Sequence, residues 1–337
     1  MRFFVLKDSN DLGVAVADTL SIPVAPHEER DFKDGEHKAR PLVSVRGKDV
    51  YVLQSLAGGG GASVNDKLCK LLFFIATCRD NGASRVTAVV PYLAYSRKDR
   101  QTKSRDPVTT RYVARLFEAV GTDRVITLEV HNLAAFQNAF RCQSVHLDVR
   151  KLFVPAIQRL AQGLPLTVFS PDSGGIKRAQ LLKEALEAIQ AEEIGFGFME
   201  KRRSREVVSG DLFAGEVKGS AVIIVDDMIS TGGTMLRTAL ACRQRGAKAV
   251  HVFATHGLFS PGCEALFESP AIDGVVVTDS VPSASRAGSE PTSRIEIVSV
   301  APLISEAISR LHTNESIADL LGEEDGGFLS AAETKEL

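Results

Sequence analysis

The hydrophobic positions of this chain alternate between short aliphatic runs and longer stretches of helical character. Runs at 3–6, 50–54, 125–130, 166–169, 194–199 and 222–225 are bounded by turn residues and read as buried strands. The stretches 10–20, 63–80, 151–161, 233–245 and 303–311, and one ending near Leu182, read as helices. Ser63 with Asp66 forms a capping-box variant at the start of one of them. A local pattern recurs at Gly82, Gly121 and Gly246: a glycine able to end a helix in the left-handed conformation, a short turn, then a buried strand.

Strands that are apolar on both faces need cover on both sides, which crossover helices provide. The alternation therefore predicts an α/β chain of two similar doubly wound parallel-sheet domains, at 1–149 and 150–320. The helix at 303–311 presents Ile304, Ile308 and Leu311 on one face and is expected to pack back on a domain. Residues 282–291 read as a mobile loop, and the acidic tail 321–337 as disordered.

Composition changes this picture little. Hydrophobic residues at 44% and charged residues at 24% are ordinary for a globular chain long enough to hold two cores. A net charge of -2 argues against a nucleic-acid or membrane-surface role, for which a basic excess is expected. Five dispersed cysteines without a CxxC pair fit reduced thiols and speak against zinc. No stretch approaches about 18 apolar residues and no signal segment is recognisable, so a cytoplasmic location is expected.

The densest chemistry lies at 222–235. Asp226 and Asp227 are placed where the aliphatic strand ends, and Ser230, Thr231, Gly232, Gly233 and Thr234 form a small-residue turn opening a helix. Ligands of open α/β sheets bind beyond the carboxyl ends of strands. Backbone N–H groups of such a turn attract an anion, and paired carboxylates suit vicinal sugar hydroxyls or a metal beside them. Together they predict a ribose 5-phosphate site. A second small-residue loop, with Asp172, Ser173, Gly174 and Gly175, suits phosphate or pyrophosphate, and Asp172 can hold Mg²⁺. His131, at another strand end, is a candidate metal or phosphate contact. A basic loop with Arg97, Lys98 and Arg100 can close over a polyphosphate, and Lys201, Arg202 and Arg203 form a second cluster, expected in a loop. Neither GxxxxGK[ST] nor GxGxxG occurs, which excludes a P-loop and a dinucleotide crevice.

In order and spacing these residues resemble the ribose-phosphate pyrophosphokinase (phosphoribosyl pyrophosphate synthetase) family. The resemblance runs from about Phe3 to Leu321 and also takes in 31–36, 44–50, 64–66, 91–100, 254–257 and 299–303. It implies domains of phosphoribosyltransferase type and transfer of the diphosphoryl group of ATP to the C1 hydroxyl of ribose 5-phosphate, leaving AMP. It further implies Mg²⁺ held at His131 and Asp172, and transition-state stabilisation by Lys201 and Arg203. Phe32, Asp34, Glu36, Arg97, Lys98, Arg100 and His131 would bind ATP, with Phe32 against the adenine. The turn from Asp226 to Thr234 would take ribose 5-phosphate, and Asp172 to Gly175 the pyrophosphate. A homo-oligomer built on dimers, up to a hexamer, is implied, with no nucleic-acid or membrane partner. The chain departs from the commonest family pattern at Lys98, at the Ser230 turn, at the glycine turn 58–62 and at 132–138.

Two rivals stay open. A type I phosphoribosyltransferase shares the Asp-Asp and Thr-Gly-Gly-Thr elements, although it usually has one domain with a hood. A non-catalytic regulatory homologue would be expected to lose the site residues that this chain keeps. Phosphoryl transfer needs positioning and charge neutralisation more than covalent help. Lys201→Ala is therefore expected to keep the fold and lose roughly 10³–10⁵-fold in turnover. Near-wild-type kinetics in that variant contradicts the assignment.

Overall fold

A computed structural model describes residues 1–190, 193–204, 207–282 and 294–322, with side chains described outside 201–211. The first half builds β1 (Arg2–Val5), α1 (Asn10–Thr19), the hairpin β2 (His27–Asp31) and β3 (His37–Pro41), β4 (Asp49–Leu53), α2 (Val64–Asp80), β5 (Arg85–Val90), α3 (Thr109–Ala119), β6 (Arg124–Leu128), α4 (Leu133–Ala139) and β7 (Gln143–Leu147). Its sheet is parallel in the order β1-β4-β5-β6-β7. The second half builds α5 (Arg150–Ala161), β8 (Leu166–Ser170), α6 (Ile176–Gln190), β9 (Gly195–Ser204), β10 (Val207–Ala214), β11 (Ala221–Ile229), α7 (Gly233–Gln244), β12 (Ala249–Gly257), α8 (Glu264–Glu268), β13 (Gly274–Thr278), β14 (Ile295–Val298) and α9 (Ala301–Thr313). Its sheet runs β10-β9-β8-β11-β12-β13-β14, parallel except for the antiparallel edge strand β10. The α/β, doubly wound architecture is the expected one. No described helix is long and apolar enough to cross a membrane.

The recurring glycine pattern has a shared physical cause in the two halves. Arg79, near the end of α2, donates to Ala83 O and Ser84 O at 3.3 Å and to Asp123 Oδ2 at 3.1 Å, while Asp123 also accepts from Val86 N at 2.7 Å. Near the end of α7, Arg243 repeats this with Ala247 O, Lys248 O and Asp273, and Asp273 accepts from Val250 N at 2.7 Å. Gly82 (φ 85°) and Gly246 (φ 91°) make the turns that put those carbonyls within reach of the arginines. The Ser63 capping box forms as expected, with Ser63 and Asp66 exchanging bonds of 2.8 and 3.2 Å.

Two expectations are corrected, and one unassigned segment acquires a structure. The aliphatic run 222–225 continues as strand to Ile229, because β12 still offers partners in the pairs Met228↔His256 and Ile229↔Gly257. Asp226 and Asp227 thus lie inside β11 rather than at its end. Lys201, Arg202 and Arg203 belong to β9, and backbone pairing with β10 (Lys201↔Asp211, Arg203↔Val208) replaces the expected loop. Finally, the landmark 31–36 is the turn of a separate two-stranded hairpin packed on α2, which the hydrophobic pattern had left unassigned. Its strands are too polar to announce themselves. Residues 283–291 of the expected loop and 323–337 of the tail lie outside the described residues.

The outer layers have their own cores, but one cluster is common to both halves. It joins Phe3, Leu53 and Leu147 of the first sheet to Val168 and Ile223 of the second through α1, α5 and α9. As expected, Ile304, Ile308 and Leu311 are buried, and α9 packs on α1, where Ser305 Oγ donates to Val16 O at 3.1 Å. At the foot of the first sheet, Asp49 accepts from Arg85 Nε and His312 Nδ1, both at 2.9 Å, and from Tyr51 OH at 3.2 Å. Burial pushes the Asp49 carboxyl up, and the bonds from Arg85 and His312 outweigh it, holding the group below its ordinary range. Stability from this group is complete above that range and is lost as pH falls through the depressed folded value. Asp49→Ala should lower the unfolding free energy by about 3 kcal/mol at neutral pH and flatten the acid limb of the stability profile. Denaturant titrations at neutral and acid pH check both.

Candidate active site

β8 and β11 are neighbours, yet the chain leaves β8 toward β9 and leaves β11 toward β12. Their carboxyl ends therefore flank a topological switch point, where loops on opposite sides of the sheet part and open a crevice. The two sequence-predicted phosphate loops follow these two strands. Beyond β11, Gly232 has φ 73°, and a Cβ there would come within 3.1 Å of Leu266. Only glycine suits that corner. A Cβ on Gly233 would meet nothing within 4 Å, so the backbone faces open space. No side chain caps α7, which leaves its first N–H groups available to an anion. The turn is braced from β12's far end: Phe259 N donates to Ile229 O at 3.1 Å, Ser260 N to Ser230 O at 3.0 Å, and the Ser230 and Ser260 hydroxyls lie 3.1 Å apart.

The loop after β8 is closed on itself. Asp172 Oδ1 accepts from Gly174 N at 2.9 Å and Gly175 N at 3.0 Å, and Ser170 Oγ donates to Asp172 O at 2.6 Å. The chain's own carboxylate thus fills a nest of N–H groups of the kind that holds an anion. Ser173 is exposed.

Successive side chains on a strand point to opposite faces, so Asp226 and Asp227 are drawn to different partners. Asp227, only 3% exposed, pairs with His131 Nδ1 at 2.8 Å. Asp226 accepts from Arg178 Nη1 at 3.1 Å, and Arg178 Nε also donates to Glu129 Oε1 at 2.8 Å. Burial, then the neighbouring charge of Asp227, pushes the Asp226 carboxyl well up. Burial also opposes ionisation of Asp227, but the His131 bond and the Arg178 charge overcome it and hold this carboxyl down. The bond to Asp227 raises the His131 imidazole against the opposing effect of its own burial.

The remaining predicted residues fall into two places. Asp99 of the basic loop accepts from Asn132 Nδ2 at 2.6 Å, which ties Arg97, Lys98 and Arg100, all exposed, to the segment carrying His131. Phe32, Asp34 and Glu36 sit on the β2–β3 turn, where Asp34 accepts from Glu36 N at 3.1 Å. Phe32 and Glu36 line a groove with Lys7, His37 and Lys70. Among the described residues no hydrogen bond or ion pair joins that turn to β11. Nor is His131 bonded to Asp172, and no group of three or more His, Cys, Asp or Glu is poised around a metal. The side chains of Lys201 and Arg203 lie outside the described set. Sequence reasoning missed Glu129 and Arg178. Their signals were a carboxylate at a strand end and a cation in the first turn after a glycine loop.

A ribose-phosphate pyrophosphokinase of Caldanaerobacter subterraneus is 36% identical over 322 residues, spanning 95% of this chain and 97% of the relative. This chain belongs to the ribose-phosphate pyrophosphokinase family. Ribose-phosphate pyrophosphokinase A of Dictyostelium discoideum is 32% identical over 313 residues, 93% of this chain and 95% of its own. A family model for the N-terminal domain of ribose phosphate pyrophosphokinase matches 1–121, and one for the phosphoribosyl synthetase-associated domain matches 205–322. The crystal structure of phosphoribosylpyrophosphate synthetase from Mycobacterium smegmatis superposes with a TM-score of 0.83 at 30% identity, covering 93% of this chain and 99% of that one.

The His131–Asp227 pair gives a direct check. Protonated His131 stabilises the pair below the ordinary histidine pKa, and this is lost as pH rises through the raised value. In Asp227→Asn the His131 midpoint, followed by NMR titration, should fall. An unchanged midpoint contradicts the assigned cause.

Proposed function

We propose that this chain transfers the diphosphoryl group of ATP to the C1 hydroxyl of ribose 5-phosphate, giving phosphoribosyl pyrophosphate and AMP. The observation carrying this reading is the switch point between β8 and β11, where an uncapped helix start, a backbone nest and a carboxylate pair converge. Asp226 and Asp227 accept from the ribose hydroxyls, while Ser230, Thr231, Gly232, Gly233 and Thr234 hold the 5-phosphate. Asp172, Ser173, Gly174 and Gly175 take the pyrophosphate, whose oxygens replace the Asp172 carboxylate on the N–H groups of Gly174 and Gly175. Lys201 and Arg203 neutralise charge in the transition state. Arg97, Lys98 and Arg100 enclose the polyphosphate with His131, and Phe32, Asp34 and Glu36 hold the adenosine end.

The residues fit Mg²⁺. Among the described contacts Asp172 uses one carboxylate oxygen, and His131 uses Nδ1 and is half exposed. A histidine whose other nitrogen is fixed by a carboxylate is pre-oriented as a ligand. Mg²⁺ keeps several waters and takes substrate phosphate oxygens, so two protein ligands suffice. His131 and Asp172 would hold it, and when bound it supplies positive charge to the polyphosphate.

The exposed Phe73, Tyr112 and Leu116 fit the surfaces of a homo-oligomer built on dimers, up to a hexamer, and a cytoplasmic location is proposed with it. An assay of purified protein with Mg²⁺, ATP and ribose 5-phosphate should yield AMP in step with sugar consumed, and chelation should abolish it. Pyrophosphate release from phosphoribosyl pyrophosphate and a base, with no AMP formed from ATP and ribose 5-phosphate, would establish the transferase instead.

A further inference from the structure

Arg178 lies three residues past Gly175, in the first turn of α6, and its side chain is only 13% exposed. Its guanidinium spans the two sheets, reaching Glu129 beyond β6 and Asp226 in β11. Glu129 has φ 33°, a backbone region that side-chain-bearing residues rarely adopt. Its carbonyl accepts from His256 Nε2 at 3.2 Å, and the buried His256 ring is fixed in turn by Ser280 Oγ at 2.9 Å. Strained backbone persists only where its surroundings over-determine it. Two residues further, His131 meets Asp227. Each member of the carboxylate pair is therefore tied to the same short segment of the other sheet, Asp226 through Arg178 and Asp227 through His131.

We infer that Glu129 and Arg178 are positioning residues for diphosphoryl transfer, their cross-sheet ion pair fixing Asp226, and hence the ribose, against His131. The inference rests on the function proposed above. Arginine is required because a planar fork can hold two carboxylates in fixed directions, whereas a lysine ammonium is a point charge without that geometry. The nucleotide contacts on the β2–β3 turn and the basic loop do not involve the fork. Its loss therefore disturbs the sugar and the reacting geometry more than the ATP contacts on that turn and loop.

The test compares full-length wild type, Glu129→Gln, Arg178→Lys and the double variant by steady-state kinetics with Mg²⁺, by calorimetric binding of ribose 5-phosphate, and by thermal unfolding. Each single variant should show an about tenfold or greater rise in ribose 5-phosphate KM and Kd and a similar fall in kcat. The KM for ATP should stay within about twofold, with cooperative unfolding retained. The double variant should lose no more than either single one, because both remove the same bridge. Additive losses, an ATP KM that rises in step, or ribose 5-phosphate affinity and kcat near wild type in both single variants would overturn the inference. Calorimetry separates the two readings: a wild type that binds ribose 5-phosphate through the fork but forms no AMP overturns the reaction, not the positioning.

Discussion

Two adjacent carboxylates on one buried strand repel each other, and the way this chain resolves that repulsion organises its site. Asp226 is met by an arginine from the neighbouring helix of its own sheet, and Asp227 by a histidine from the other sheet. Arg178 is itself shared with Glu129, so the neutralising charges also join the halves. Without the first sheet, Asp227 would lose His131 and Arg178 would lose Glu129. The site therefore exists only when both sheets are folded and docked, which agrees with a hydrophobic cluster common to both. Buried charges of this kind cost desolvation and are weak evidence for stability. Their value here is geometric.

The same economy governs the phosphate loops. The N–H groups proposed to meet an anion are disposed in two ways. At α7 they face open space beside Gly233. In the loop after β8, Asp172 occupies them. On the proposed reading, a pyrophosphate bound there would displace the carboxylate, which would then be available to a cation accompanying the polyphosphate. Substrate and Mg²⁺ would thus be taken up together.

Much of this was legible in the sequence, and the gaps have definite causes. Aliphatic strands such as 166–169 and helices with strong end signals, such as Ser63 to Asp80, declare themselves locally. Strand length beyond the apolar run does not: Asp226 and Asp227 extend β11 because β12 offers backbone partners there, a fact of tertiary pairing. The hairpin of β2 and β3 offers only Ala39 and Pro41 as apolar residues, too few for its alternating burial to show as a hydrophobic pattern. The glycine loops and the acidic pair were readable because a run of small residues, and two adjacent carboxylates directly after an aliphatic run, are local features of the sequence. Glu129 and Arg178 were not, since an isolated acid and an isolated base, 49 residues apart, show their connection only once the two sheets are docked.

On the proposed reading, two loops of the second sheet and a histidine from the other half form a single site that moves two phosphoryl groups at once. Phosphorus NMR of ATP turned over with ribose 5-phosphate and Mg²⁺ follows both groups. The β and γ signals of ATP should disappear together and reappear as a pyrophosphate attached at C1 of the sugar, with AMP as the sole nucleotide product. Accumulation of ADP, or a single phosphate on the sugar, would contradict it.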